Sequence, residues 1–223
     1  MYEPMMSLLS DEFHLIAPDT PGFGNTDALA ERGTVARYAE IFVEALRRLD
    51  IERCMLFGHH SGASIAVQIA HREPAFVDRL ILSGPPYLTK AQLEAIVPSV
   101  RPVVPVEDGS HLSWVWKRIR TKDPSAPLEL SHREVVQNLI AGARYPEAYD
   151  AVFAHDLGGQ LKTIACRTLV LVGPDDTIYA SAEPAARRLP RGRLHVFTRG
   201  GTYICDREPE LVAAALRDFC RGA

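Results

Sequence analysis

Short apolar runs alternating with amphipathic helical stretches constrain this chain more than any other feature, because that alternation is how a parallel sheet covered by helices is written. Residues 13–19 read as a first strand, closed by Pro18 and by the turn-rich Thr20-Pro21-Gly22-Phe23-Gly24. Residues 34–49 read as a helix: Val35, Tyr38, Phe42, Ala45, Leu46 and Leu49 recur at helical spacing, and Arg47 and Arg48 sit where the helix dipole favours cations. A strand over 53–57 turns at Gly58 into a helix reaching His71, and a strand over 79–83 stops at Gly84-Pro85-Pro86. From Tyr87 to Ala165 prolines multiply and strand signals vanish, while Trp114, Trp116, Tyr145 and Tyr149 appear among helix-like stretches. The sheet pattern resumes with strands at 167–172 and 193–197, a helix over 182–189 and a closing helix over 207–221 with Pro209 in its first turn. The expected fold class is α/β: a mostly parallel sheet flanked by helices, with a core from 1–86 and 166–223 and a helical lid inserted at 87–165.

Composition narrows the function classes. With 223 residues there is room for one well-cored domain and not for two sizeable ones. Twenty-five Lys and Arg against 28 Asp and Glu leave a net charge of −3 with no basic cluster above background, so nucleic acid is not an expected partner. No apolar run approaches the ~20 residues a bilayer requires, and Glu3, Asp11 and Glu12 stand where a secretory signal would be basic and then apolar. The expectation is a cytoplasmic protein with no membrane partner. Cys54, Cys166, Cys205 and Cys220 are far apart and read as thiols rather than as a zinc or redox motif. No metal and no cofactor is expected.

Four segments carry a resemblance. Residues 13–24, Phe-His-Leu-Ile-Ala-Pro-Asp-Thr-Pro-Gly-Phe-Gly, form a strand and its loop. Residues 56–66, Leu-Phe-Gly-His-His-Ser-Gly-Ala-Ser-Ile-Ala, form a tight strand-to-helix turn. Residues 168–176 are Thr-Leu-Val-Leu-Val-Gly-Pro-Asp-Asp. Residues 199–203, Arg-Gly-Gly-Thr-Tyr, are followed by Glu208-Pro209-Glu210. Together they resemble the α/β-hydrolase superfamily, in particular its lid-bearing members that hydrolyse esters, epoxides, haloalkanes or carbon–carbon bonds. The second segment is similar to the nucleophile elbow, the third to the acid loop and the fourth to the loop that bears the catalytic histidine.

The elbow needs small residues two before and two after the nucleophile, and Gly58 and Gly62 bracket His60, so the resemblance puts His60 at the nucleophile position. Ser61 is then the following residue, whose backbone N–H serves as an oxyanion donor at a helix start. The resemblance puts the carboxylate on Asp176; the alternative is that the Asp175-Asp176 pair opens a turn or caps the next helix. The histidine position holds Thr202, which cannot shuttle a proton near neutral pH. The His-Gly strand expected upstream of Tyr2 is not written here. An internal start codon, direct pairing of the flanking strands, or a second copy over the exposed edge would each account for that.

These readings point to a hydrolase for a small, largely apolar molecule, with non-standard chemistry at a His60–Asp176 dyad. The alternative is a catalytically inactive relative that binds a small molecule or a protein. Further pocket candidates are His59, Pro21, Gly22, Trp114, Trp116, His155, Thr202 and Tyr203. Partners are expected to be a small-molecule substrate or ligand and a second copy in a homodimer.

Overall fold

A computed structural model describes residues 1–222. Four strands, β1 (Cys54–His59), β2 (Val77–Ser83), β3 (Arg167–Val172) and β4 (Gly192–Val196), form one sheet in that spatial order, with every neighbouring pair parallel. Helices α1 (Glu3–Leu9) and α2 (Val35–Arg47) precede β1, and α3 (Ser61–Arg72) links β1 to β2. Between β2 and β3 lie α4 (Lys90–Ile96), α5 (Ser110–Lys122), α6 (Leu128–Ala141), α7 (Pro146–Phe153) and α8 (Leu157–Leu161). Helix α9 (Ala182–Arg188) joins β3 to β4, and α10 (Ile204–Arg207) and α11 (Pro209–Arg221) close the chain.

The central strands are apolar throughout because both faces are covered. Alternate side chains go to opposite layers: Leu80, Leu82, Val170 and Val172 face the core beneath α2, α3 and α9, whereas Ile81, Leu169 and Leu171 face α1 and α11. Each such fully buried side chain contributes about 1.5–3 kcal/mol. Thr34 caps α2 by accepting the Arg37 N–H at 3.1 Å, which starts that helix one residue inside the expected limit. The expected closing helix opens two residues later, at Pro209 in α11, because Pro209 has no N–H with which to continue the short α10 before it. The chain before residue 10 forms α1, which was not foreseen; its Met5 and Leu9 are buried against the core that α11 covers.

One expected strand is corrected. Residues 13–19 belong to no strand, and nothing among the described residues pairs with the outer edge of β1. An apolar groove of about 410 Å³ runs between them, walled by Leu15, Ile16 and Pro18 on one side and by Met55, Leu56 and Phe57 on the other. An extended segment makes a strand only when a neighbour takes its N–H and C=O groups, and the groove keeps residues 13–19 out of reach of β1. The flanking segments therefore do not pair directly.

Among the described residues no helix is long and apolar enough to cross a membrane, and all four cysteines are free thiols.

Candidate active site

The C-terminal ends of β1, β2 and β3 converge on one small cluster, where ligands gather in parallel α/β sheets. Strand β1 delivers the chain to His60, whose backbone stands at φ 48°, ψ −114°. Such a conformation costs a residue with a bulky side chain on the order of 1–3 kcal/mol. The His60 N–H donates to Ser83 O at 2.9 Å and the Ala63 N–H to His60 O at 2.8 Å, so hydrogen bonds on both sides hold the strained turn. A Cβ on Gly58 would lie 2.3 Å from the Gly62 carbonyl oxygen, which makes glycine obligatory there. A Cβ on Gly62 would meet nothing closer than Tyr2 Oη at 4.0 Å. The crowding expected on both sides of the elbow thus falls on Gly58 alone.

His60 Nε2 lies 3.0 and 3.2 Å from the two oxygens of Asp176, and Asp176 Oδ1 also accepts the Ile178 N–H at 2.9 Å. Burial pushes the Asp176 carboxyl up, but the His60 ring and the Ile178 N–H outweigh it and hold the group below its ordinary value. An ionised carboxylate only accepts, so Nε2 must be the donor, which leaves Nδ1 as the basic atom of a neutral ring. No described residue bonds Nδ1. Ser61 opens α3; its N–H has no partner among the described residues, its side chain makes no hydrogen bond, and the 12-residue helix behind it favours negative charge at that point.

His59 does different work. It stacks on His60 with ring centroids 4.1 Å apart, its Nε2 is 2.9 Å from Thr202 O and its Nδ1 is 3.0 Å from Ser83 Oγ. Because a carbonyl only accepts, Nε2 carries the proton and Nδ1 accepts from the Ser83 hydroxyl. Burial, reinforced by the neighbouring His60, pushes His59 down to about 3. It is a neutral tie between β1, β2 and the Gly200–Tyr203 loop.

Thr202 is buried, with its hydroxyl 3.2 Å from Thr177 Oγ1. Tyr203 is almost wholly buried and its hydroxyl has no partner. Pro21 is buried, and Gly22, at φ +87°, lies in a turn where its N–H donates to Thr26 O and Asp27 O. Trp114 packs beneath the Arg101 guanidinium at 4.1 Å, whereas Trp116 lies at the surface, 36% exposed. His155 lines two cavities, neither of which includes His60 or Asp176. The structure thus brings His60, Asp176, His59 and Thr202 together, and leaves Trp116 and His155 outside the cluster.

A family model for the alpha/beta hydrolase fold matches residues 1–106. A hydrolase from Pseudomonas aeruginosa superposes with a TM-score of 0.81 at 24% identity, over 99% of this chain and 84% of that one. The chain has the alpha/beta hydrolase fold. A hydrolase from Oleispira antarctica gives a TM-score of 0.84 at 16% identity, over 100% of this chain and 86% of that one. In sequence, a putative carbamate hydrolase of Agrobacterium fabrum is 25% identical over 97% of this chain and 86% of its own. An uncharacterized protein of Mycobacterium tuberculosis is 42% identical over 82 residues, which span 37% of this chain and only 24% of that relative.

Within this α/β-hydrolase frame, sequence reasoning missed two residues that shape the cluster. Gly84, at φ +54°, leaves room for the dyad: a Cβ there would lie 2.7 Å from His60 Cδ2 and 3.1 Å from Asp176 Oδ2. Ser83, 1% exposed, bonds the His59 ring through its hydroxyl and the elbow N–H through its carbonyl. The available signal was their place at the C-terminal end of a strand just before Gly84-Pro85-Pro86.

Proposed function

We propose that this α/β-hydrolase-fold chain hydrolyses a small, largely apolar substrate, with His60 acting as general base on water where relatives of ordinary type place a nucleophile. The observation that carries this is the pairing of His60 Nε2 with both oxygens of Asp176 while Nδ1 is left without a partner. In the proposed step Nδ1 takes a proton from water as its oxygen attacks the substrate carbonyl, and Asp176 steadies the imidazolium that forms. The carbonyl oxygen gathers negative charge toward the Ser61 N–H at the start of α3. Nδ1 then returns the proton to the leaving group. Helices α4–α8 serve as the lid over residues 87–165, and the strained elbow is retained because it aims the imidazole.

The second reading is a catalytically inactive relative that binds a small molecule, and Thr202 at the histidine position favours it. A panel of aryl esters, epoxides and haloalkanes separates the two. Turnover by the wild type that falls about 10²–10⁴-fold in kcat/KM on His60→Ala supports the dyad. Tight binding of an apolar ligand without turnover sinks the dyad and leaves the binding module.

A further inference from the structure

The last two turns of α5 carry Lys117, Arg118, Arg120 and Lys122. Cations near a helix C-terminus suit the dipole, but that does not require them to line a cavity. Lys117, Arg118 and Lys122, with Ser99, Trp114, Thr121 and Thr177, line a cavity of about 360 Å³. No carboxylate lines this cavity, and among the described residues none of its three cations forms an ion pair.

The carboxylates of adjoining elements are already engaged. Asp123 meets Arg207 at 2.6 Å, Glu134 and Asp206 meet Arg133 at 2.9 and 2.8 Å, and Asp176 meets His60. Arg118 is fixed in place: its Nε donates to Ser99 O at 2.7 Å, Nη1 donates to Asn138 Oδ1 at 3.3 Å, and the guanidinium lies over the Tyr145 and Tyr149 rings at 4.9 and 5.8 Å. These contacts fix the planar guanidinium at the wall of the cavity, beside the Tyr145 and Tyr149 hydroxyls.

The cavity also adjoins the dyad. Thr177 follows Asp176 directly, and its hydroxyl is tied to Thr202 at 3.2 Å. Burial pushes the Tyr149 phenol up, yet the nearby Lys122 and Arg118 charges outweigh it and lower the group; Lys122 is also felt at His59. Lys122 lines the cavity. The buried, unpartnered Tyr203 hydroxyl lies in the same field, close enough to feel both Tyr149 and Arg118. Arg118 and Lys122 are half-buried cations in a cavity without a carboxylate, and an anion that reached them would offset the cost of that burial.

We propose that this cavity is a subsite for a carboxylate on the substrate, held by Lys122 and Arg118 with Thr177 as a hydrogen-bond donor. The substrate is then an apolar body bearing one anionic group, which deepens the reading of His60 and Asp176 above and rests on it. The test titrates 4-phenylbutanoate and its neutral amide, 4-phenylbutanamide, calorimetrically onto the full chain at low and high salt.

The carboxylate is expected to bind at least about tenfold tighter than the amide, as one charge-assisted hydrogen bond allows. Added salt should shrink the difference. Lys122→Gln keeps the stem and is expected to remove most of the preference while leaving amide binding unchanged. The Tyr149 phenolate absorbance, which reports the same field, should shift on carboxylate binding. Equal affinity for the two ligands, no measurable binding of either, or a preference that survives in Lys122→Gln overturns the subsite. His60→Ala must keep the preference, so a preference without ester turnover overturns the hydrolytic reading alone. Turnover lost on His60→Ala without any preference overturns the subsite alone.

Discussion

Two loops lie beside Asp176, and they are bonded in different ways. The elbow after β1 supplies the imidazole, with His60 Nε2 at 3.0 Å from the carboxylate. The Gly200–Tyr203 loop, where a histidine is expected, supplies instead a threonine whose carbonyl holds His59 and whose hydroxyl holds Thr177. The elbow bears strain and an unpartnered ring nitrogen, as a site that must act on something else does; the other loop is fully bonded at Thr202, as a structural tie is. In this chain the imidazole that meets the carboxylate after β3 comes from the elbow.

The strongest way to break this comparison is to move the ring back. His60→Ser alone should lose turnover to about the level of His60→Ala, and His60→Ser with Thr202→His should recover at least about tenfold in kcat/KM over the single variant. Failure of the double variant to regain activity in the aryl-ester assay means the two loops are not interchangeable about Asp176.

Gly84→Ala sharpens the elbow side. The new Cβ lies against the His60 ring and Asp176 at a positive φ, so we expect a loss of about 1–3 kcal/mol in denaturant unfolding. A drop of about tenfold or more in kcat should accompany it as the ring is displaced. An unchanged kcat would mean that the position of the ring against Asp176 is immaterial.

A smaller effect separates the two histidines by pH. His59 is held near 3 in the fold against an ordinary value of 6.5. The unfolded chain therefore takes up a proton below 6.5 that the native state refuses. The stability is fully present above 6.5 and is lost as pH falls toward 3, at up to about 1.4 kcal/mol per pH unit. The Asp176 carboxyl, depressed below its ordinary 3.8 by His60 and the Ile178 N–H against the opposing effect of burial, loses its contribution only at lower pH. Unfolding midpoints between pH 6.5 and 4 should fall less steeply in His59→Gln than in the wild type. Equal slopes would show that His59 is protonated without cost in the fold.

The α/β class, the order of the four sheet strands along the chain and the helical segment between β2 and β3 were legible in the sequence because buried parallel strands need unbroken apolar runs and helices need a 3.6-residue period. Gly58, His60 and Asp176 were legible as well, since a strained turn restricts residue type locally. The strand expected at 13–19 failed for a physical reason, because pairing depends on a partner that local pattern does not reveal. Gly62 was read as sterically necessary and has open space instead. Gly84 and Ser83 escaped notice because what they do is leave room for, or bond to, side chains about 24 and 92 residues away in sequence. Sequence by itself determined the layers and the residue types at the turns. Only the tertiary structure decided which histidine is a buried tie and which faces the acid, because His59 and His60 are neighbours whose environments come from Ser83, Thr202 and Asp176, brought together at the strand ends by the packing of the sheet.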